Sequence, residues 1–238
     1  MKTFKLTLFV VLLALVISSC SHTNNFSQYN MAKSKVLFEK AFGSDINKVH
    51  QYSTNTHSKK ESDAEFFSRT ALSIGSAFIG NDIEDKFTKA VNPDSVAAAI
   101  SLGIENTLIK YFQIQTEYDV AGEYDYICVV ALDKCEITSG SAGVYLNVGA
   151  TTRITDRKTG GIVWEDSENE NVQLRFSTTN YNSKSGLERT LNDATQVAML
   201  ASLTEDEIRK AVRNASSEVS RLFGQTIQED FMEMNKKK

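Results

Sequence analysis

The sequence predicts an α+β domain in which a mainly antiparallel sheet of about four to five strands carries helices packed on one face. Three observations predict it. Apolar residues recur at helical spacing on both sides of a central region, about residues 114–177, in which they recur at every second position. Capping boxes, a Ser or Thr followed three residues later by Glu, stand at the starts of the helical stretches. Proline occurs once in 238 residues, so the elements run with few breaks. With 41% hydrophobic, 24% charged and 9% aromatic residues the chain can bury one ordinary core, which excludes a disordered tail, a collagen-like fibre and a disulfide-stapled miniprotein. A net charge of -4 without a block of like charges excludes nucleic acid as a partner, because phosphate binding needs clustered Lys and Arg.

Residues 1–19 read as a signal peptide. Lys2 and Lys5 precede an apolar run from Leu6 to Ile17, which as a helix extends about 18 Å against a hydrocarbon core of about 30 Å and is too short to span it. Small residues Ser18 and Ser19 complete the pattern. The tetrapeptide Ile17-Ser18-Ser19-Cys20 resembles the lipobox of bacterial lipoproteins. That resemblance implies cleavage before Cys20, a diacylglycerol on its sulfur and an acyl chain on its amine, which together hold a protein at a membrane without a spanning segment. By resemblance to enterobacterial sorting, Ser21 in place of Asp directs the product to the periplasmic face of the outer membrane. Residues 20–30 then read as the lipidated Cys and a polar, flexible tether, and residues 31–238 as a single domain.

Within the domain, Met31 to Tyr52 holds Val36, Leu37, Phe38, Ala41 and Phe42 in a mixed pattern, a short helix or strand. Ser62 and Glu65 form a capping box ahead of Phe66, Phe67, Leu72 and Phe78, a helix that ends at Gly80. Asn92-Pro93 reads as an N-cap with proline at the first helical position, opening a helix through Val96, Ile100, Leu108 and Phe112. Tyr126 to Leu132 is apolar without interruption, the composition of a central strand. Val144, Leu146, Val148, Ala150, Thr152 and Ile154 alternate with more polar residues, a half-buried strand. Asp156 to Gly161 is a turn whose glycines accept positive φ, and Ile162, Val163 and Trp164 begin the return strand, resumed at Val172, Leu174 and Phe176. The acidic stretch Glu165 to Glu170 reads as a bulge or bend interrupting it. Capping boxes at Ser185/Glu188 and Thr204/Glu207 open two closing helices, the second long, about residues 205–231.

Cys128 and Cys135 are an even pair in an oxidising compartment. Seven residues along a strand place them roughly 23 Å apart on opposite faces. A disulfide between them requires a tight turn at Leu132 and Asp133; without it both are buried free thiols. His22, His50 and His57 share no spacing with a Cys or carboxylate cluster, so no metal or cofactor is expected. Glu165, Asp166, Glu168 and Glu170 are the available carboxylates for acid-base or calcium chemistry, and a run at this spacing reads first as a solvated loop. No nucleophile elbow, phosphate loop or His-Glu-x-x-His motif is present, which predicts a protein that is not an enzyme.

The segment Asp125-Tyr126-Ile127-Cys128-Val129-Val130, the strand end Arg153-Ile154-Thr155-Asp156, and Lys158-Thr159-Gly160-Gly161-Ile162-Val163-Trp164 together resemble a pattern in periplasmic envelope lipoproteins. That group includes the curli-secretion lipoprotein, activators of penicillin-binding proteins, and auxiliary lipoproteins of transport systems. In it, Asp156 caps the turn, Gly160 supplies a left-handed residue and Trp164 covers the core. Before Ser62 the chain offers no equivalent of the opening aliphatic strand of such families, and it lacks the long Pro-rich arm of the activators. The resemblance implies a membrane-tethered protein that docks on an envelope partner in transport, secretion or outer-membrane maintenance. Regulation of a peptidoglycan synthase and a ligand-binding or hydrolytic lipoprotein are the alternatives, and a homo-oligomer stays open.

Overall fold

The computed structural model describes residues 22–51, 82–140, 143–176, 195 and 198–236. Cys20, His57, the Ser62 helix and the start of the Ser185 helix lie outside the described residues. The strands are β1 (Thr23–Asn24), β2 (Lys35–Gln51), β3 (Gln115–Glu117), β4 (Tyr126–Gly140), β5 (Gly143–Asp156) and β6 (Ile162–Phe176). The two long helices are α1 (Pro93–Phe112) and α2 (Glu205–Lys236), and residues 82–90 form a shorter one.

The class is mixed α and β, and the sheet departs from the expected one. It has six strands in the order β1-β6-β5-β4-β2-β3. The β4–β5–β6 meander is antiparallel as alternation predicts, but β2 runs parallel to both β4 and β3. The reason lies in the connection. A parallel neighbour needs a long crossover, and the chain between β2 and β4 supplies it through the segment that contains α1. The mixed stretch at residues 35–51 is thus a full strand, and it provides the early aliphatic strand that the sequence reading did not find.

Bulges obscured that strand. Between the pairs Phe42↔Leu132 and Asp45↔Lys134, two residues of β2 oppose one of β4. Between Leu132↔Ala150 and Lys134↔Gly149, Asp133 of β4 has no opposite residue on β5. An odd insertion inverts the facing of every later side chain. This is why Cys128 and Cys135, seven residues apart, lie on one buried face rather than on opposite ones; both are free. The inward set on β4 and β5 includes Val130, Leu132, Ile137, Leu146, Val148 and Ile154, all fully buried.

Helix α1 packs on β2 and β4, and α2 on β5 and β6. Asn92 caps α1 as read, its side chain accepting from the Asp94 and Ser95 amides at 2.9 and 3.3 Å, with Pro93 in the first turn. The Thr204/Glu207 box is reciprocal: the Glu207 amide donates to Thr204 Oγ1 at 3.3 Å, and the Thr204 amide to Glu207 Oε2 at 3.0 Å. The two helices run side by side in the same direction, Gly103 against Ser220, Gly224 against Thr107, and Tyr111 against Phe231. Small residues let the backbones approach closely. A Cβ on Gly103 would collide with Ser220 Oγ.

The amino-terminal residues differ from the expected tether. Residues 22–30 are part of the fold: β1 pairs with β6, and Phe26, fully buried, packs on Phe112 and Trp164 with ring centroids 4.7 and 6.2 Å away. A phenylalanine in a polar stretch is a core residue here because the sheet edge leaves a slot beside Trp164. Burying such a side chain stabilises by about 2–3 kcal/mol.

Candidate functional site

Two polar constellations stand out, one within the core and one on the outer surface of the sheet. The first is built around Trp164. The turn before it has the geometry read from sequence. Asp156 Oδ1 accepts from the Thr159 amide and hydroxyl, each at 2.7 Å, the Gly160 amide donates to the Asp156 carbonyl at 2.8 Å, and Gly160 adopts φ 70°. These bonds to its charged form hold the Asp156 carboxyl below its usual range. Trp164 follows on the inward face of β6, fully buried.

The Trp164 indole N–H donates to Asp230 Oδ2 at 2.7 Å, within the core. Asp230 is the residue that sequence reasoning missed. Its signal was present: Phe223, Ile227 and Asp230 occupy one helical face, so a carboxylate occupies a core position of α2 and requires a buried donor. The same carboxylate lies 3.2 Å from His22 Nε2, while His22 Nδ1 is 3.5 Å from Asp166 Oδ1.

Asp166 and Glu168 continue the inward face of β6. The expected interruption at Glu165 to Glu170 does not occur; β6 runs unbroken through it, in register with Arg153 to Val148 of β5. Glu165 faces one side of the sheet and Asp166, Glu168 and Glu170 the other. Glu165 turns outward and takes both Nε and Nη2 of Arg153 at 2.7 and 3.0 Å, whereas Glu168 turns toward α2 and accepts from Thr226 Oγ1 at 3.2 Å. Partial burial and the neighbouring Asp166 push the Glu168 carboxyl up. Among the described residues no group of three or more His, Cys, Asp or Glu has the arrangement to hold a metal ion.

The second constellation is a shallow groove of about 390 Å³ whose lining includes Asp133, Glu136, Asn147, Ser167, Asn169 and Asn171. Its side chains and their neighbours are linked across four strands. Thr151 Oγ1 donates to Asp133 Oδ2 at 2.6 Å and lies 2.8 Å from Ser167 Oγ, and Asn171 Nδ2 donates to Asn147 Oδ1 at 2.7 Å. Asn147 Nδ2 in turn donates to Thr138 Oγ1 at 3.1 Å, and His50 pairs with Glu136 at 3.2 Å. Chemically this is an amide, hydroxyl and carboxylate surface able to exchange hydrogen bonds with a polar ligand. The two cysteines take no part in either constellation. Burial pushes the Cys135 thiol up to about 12 and the Cys128 thiol further, away from the thiolate form.

No family model matches the chain, and no curated protein matches it. Solved structures do. The PelC dodecamer from Paraburkholderia phytofirmans is similar at 15% identity, covering 82% of this chain and 96% of that one, with a TM-score of 0.30. Protein XCC0632 from Xanthomonas campestris, of the DUF330 family, is similar at 12% identity over 92% and 97% of the two chains, with a TM-score of 0.36. Lipoprotein GNA1162 from Neisseria meningitidis is similar at 16% identity over 68% and 94%, with a TM-score of 0.22.

Proposed function

We propose that this chain is a lipid-anchored, non-enzymatic accessory protein of the bacterial periplasm that docks on a partner in envelope transport, secretion or outer-membrane maintenance. One observation carries the reading: a charged start, an apolar run too short to span, and Ile17-Ser18-Ser19-Cys20. Cys20 is the lipidated residue, residues 1–19 are removed, and Ser21 directs the product to the periplasmic face of the outer membrane. The described clusters support a docking role rather than a catalytic one, because their charged groups bond to one another. Asp230 bonds to Trp164 and His22, Glu165 to Arg153, and Glu207 to Arg175 at 2.7 Å.

The test has two stages. Intact-mass measurement of the chain from its bacterial host should give a diacylglyceryl, N-acylated Cys20, and Cys20→Ala should move the protein from the membrane to the soluble fraction. Crosslinking in whole cells followed by pull-down should then recover an envelope protein. A free Cys20 thiol with release into the culture fluid would remove the reading. A peptidoglycan synthase as the captured species would support the regulator alternative, and capture of a second copy would establish a homo-oligomer.

A second reading rests on the outer groove, whose amides and carboxylates suit a polar ligand and favour a ligand-binding lipoprotein. A ligand held there should be lost on replacing Asn147 or Asn171 by Ala.

A further inference from the structure

The short distance between anchor and body determines which end of the molecule meets the lipid. This inference rests on the reading of Cys20 as the lipidated residue. His22 is held by Asp166 and Asp230, Thr23 and Asn24 pair with Glu165 and Trp164, and Phe26 is buried. Cys20 therefore stands only two residues from a position held in the fold, at most about 7 Å of extended chain. A body fixed so near its anchor cannot turn freely over the surface.

The same end of the molecule gathers the other features that suit a lipid surface. The carboxyl ends of α1 and α2 meet there, Tyr111 and Phe112 against Phe231, and at the start of β4 the turn before β6 joins the loop after β3, where Arg157 bonds to the Tyr124 and Asp125 carbonyls. Eight large apolar side chains are exposed among the described residues, and four of them belong by chain position to this end: Ile109 and Met232 near the carboxyl ends of α1 and α2, Ile162 at the start of β6 and Val120 in the loop before β4. The other four, Leu102, Phe42, Tyr118 and Phe176, are spread over the middle and the far end, Tyr118 with its hydroxyl bonded to Glu105 midway along α1.

We propose that this end rests on the leaflet that holds the anchor, with Val120, Ile162 and Met232 entering the interface and the amino end of α2 pointing away. Aromatic and aliphatic side chains are favoured at that depth. The charges nearby are mixed, Lys33, Arg157 and Lys158 beside Glu117, Asp119 and Asp156, so apolar burial rather than attraction to anionic lipid holds the contact. The 32 residues of α2 extend about 48 Å, which places the Gly140 and Gly143 ends of β4 and β5 and Glu205 far from the surface and leaves them for the protein partner.

Depth-dependent quenching tests the orientation. The full lipidated chain is placed in phosphatidylcholine vesicles carrying a headgroup nitroxide lipid, with a fluorophore on Lys158→Cys at the near end or Asp206→Cys at the far end. The wild-type thiols do not compete, since the Cys20 sulfur carries the diacylglyceryl group and Cys128 and Cys135 are buried. The label at 158 should be quenched several-fold more than that at 206, without change when anionic lipid is added. Lys236→Cys gives a second near-end position should the 158 variant fold poorly. Equal quenching at both ends on vesicle-bound protein, or stronger quenching at 206, would overturn the orientation and leave the anchor standing. Failure of the protein to float with vesicles would overturn the anchor itself, and the orientation with it.

Discussion

The Trp164 corner and the outer groove are both built from acids, amides and hydroxyls, yet they stand in opposite relation to water. In the corner, Asp230 and the indole N–H are each other's buried partner across two elements far apart in sequence. In the groove, Asn147, Asn171, Thr151 and Ser167 bond to neighbours on adjacent strands and keep access to solvent. A polar group without water depends entirely on its partner, whereas one at the surface has a substitute. Identical chemistry is therefore structural in the first place and available for recognition in the second.

The sharpest way to break this contrast is to empty the corner. Phe26→Ala should cost about 3–5 kcal/mol of stability, read as a drop in the denaturation midpoint. A tether residue would give no change, so the substitution also tests the docked amino terminus. Next in size, Asp230→Ala should cost about 2 kcal/mol by leaving the Trp164 N–H unpaired. Asp230→Asn, which keeps an acceptor for the indole, should recover part of it. Since Trp164 is the only tryptophan, its emission reports both variants directly.

The same substitution in the groove should do little. Asn147→Ala should cost no more than about 1 kcal/mol, because Asn171 and Thr138 turn to water. An effect as large as that of Asp230→Ala would show the groove to be structural and would remove the ligand-binding reading. The smallest effect belongs to Glu168. Its pKa is raised in the fold, so its contribution to stability is present at acid pH and is lost as pH rises through the raised value. Glu168→Gln should consequently raise the thermal midpoint at neutral pH and leave it nearly unchanged below the normal carboxylate range.

Much of the fold was legible. The meander β4–β5–β6 follows from alternation, α1 from Asn92-Pro93, α2 from Thr204 and Glu207, and the turn from Asp156 and Gly160. What escaped did so for local reasons. The alternation of β2 is broken at Gly43 and Ser44, and again near Asn47 with φ 57°, so the eye sees no period of two. Glu165 to Glu170 resembled a solvated loop because four acids in six residues override a strand reading, yet the outward Glu165 finds Arg153 and the inward Asp166 and Glu168 find His22 and Thr226. Phe26 was hidden among Ser and Asn, since a single apolar residue sets no period. At the site, Trp164 was visible and its partner was not, because pairing across 66 residues leaves no spacing to read.

The bulges have one more consequence. At a single level of the sheet, β2 has two residues without opposite numbers, β4 has one and β5 has none. Chain length is graded across the sheet like the arc of a pie slice, wide at β2 and closed at β5, so the strands fan within their own plane. Such a wedge couples its members. Loss of Asp133 alone would close the step between β4 and β5 and leave two residues of β2 with nothing opposite them on β4, so a matched loss from β2 would be needed to restore the fit between those two strands. Lineages of this sheet should gain or lose residues at that level in concert, while the pairing of β5 with β6, which has no step there, tolerates none.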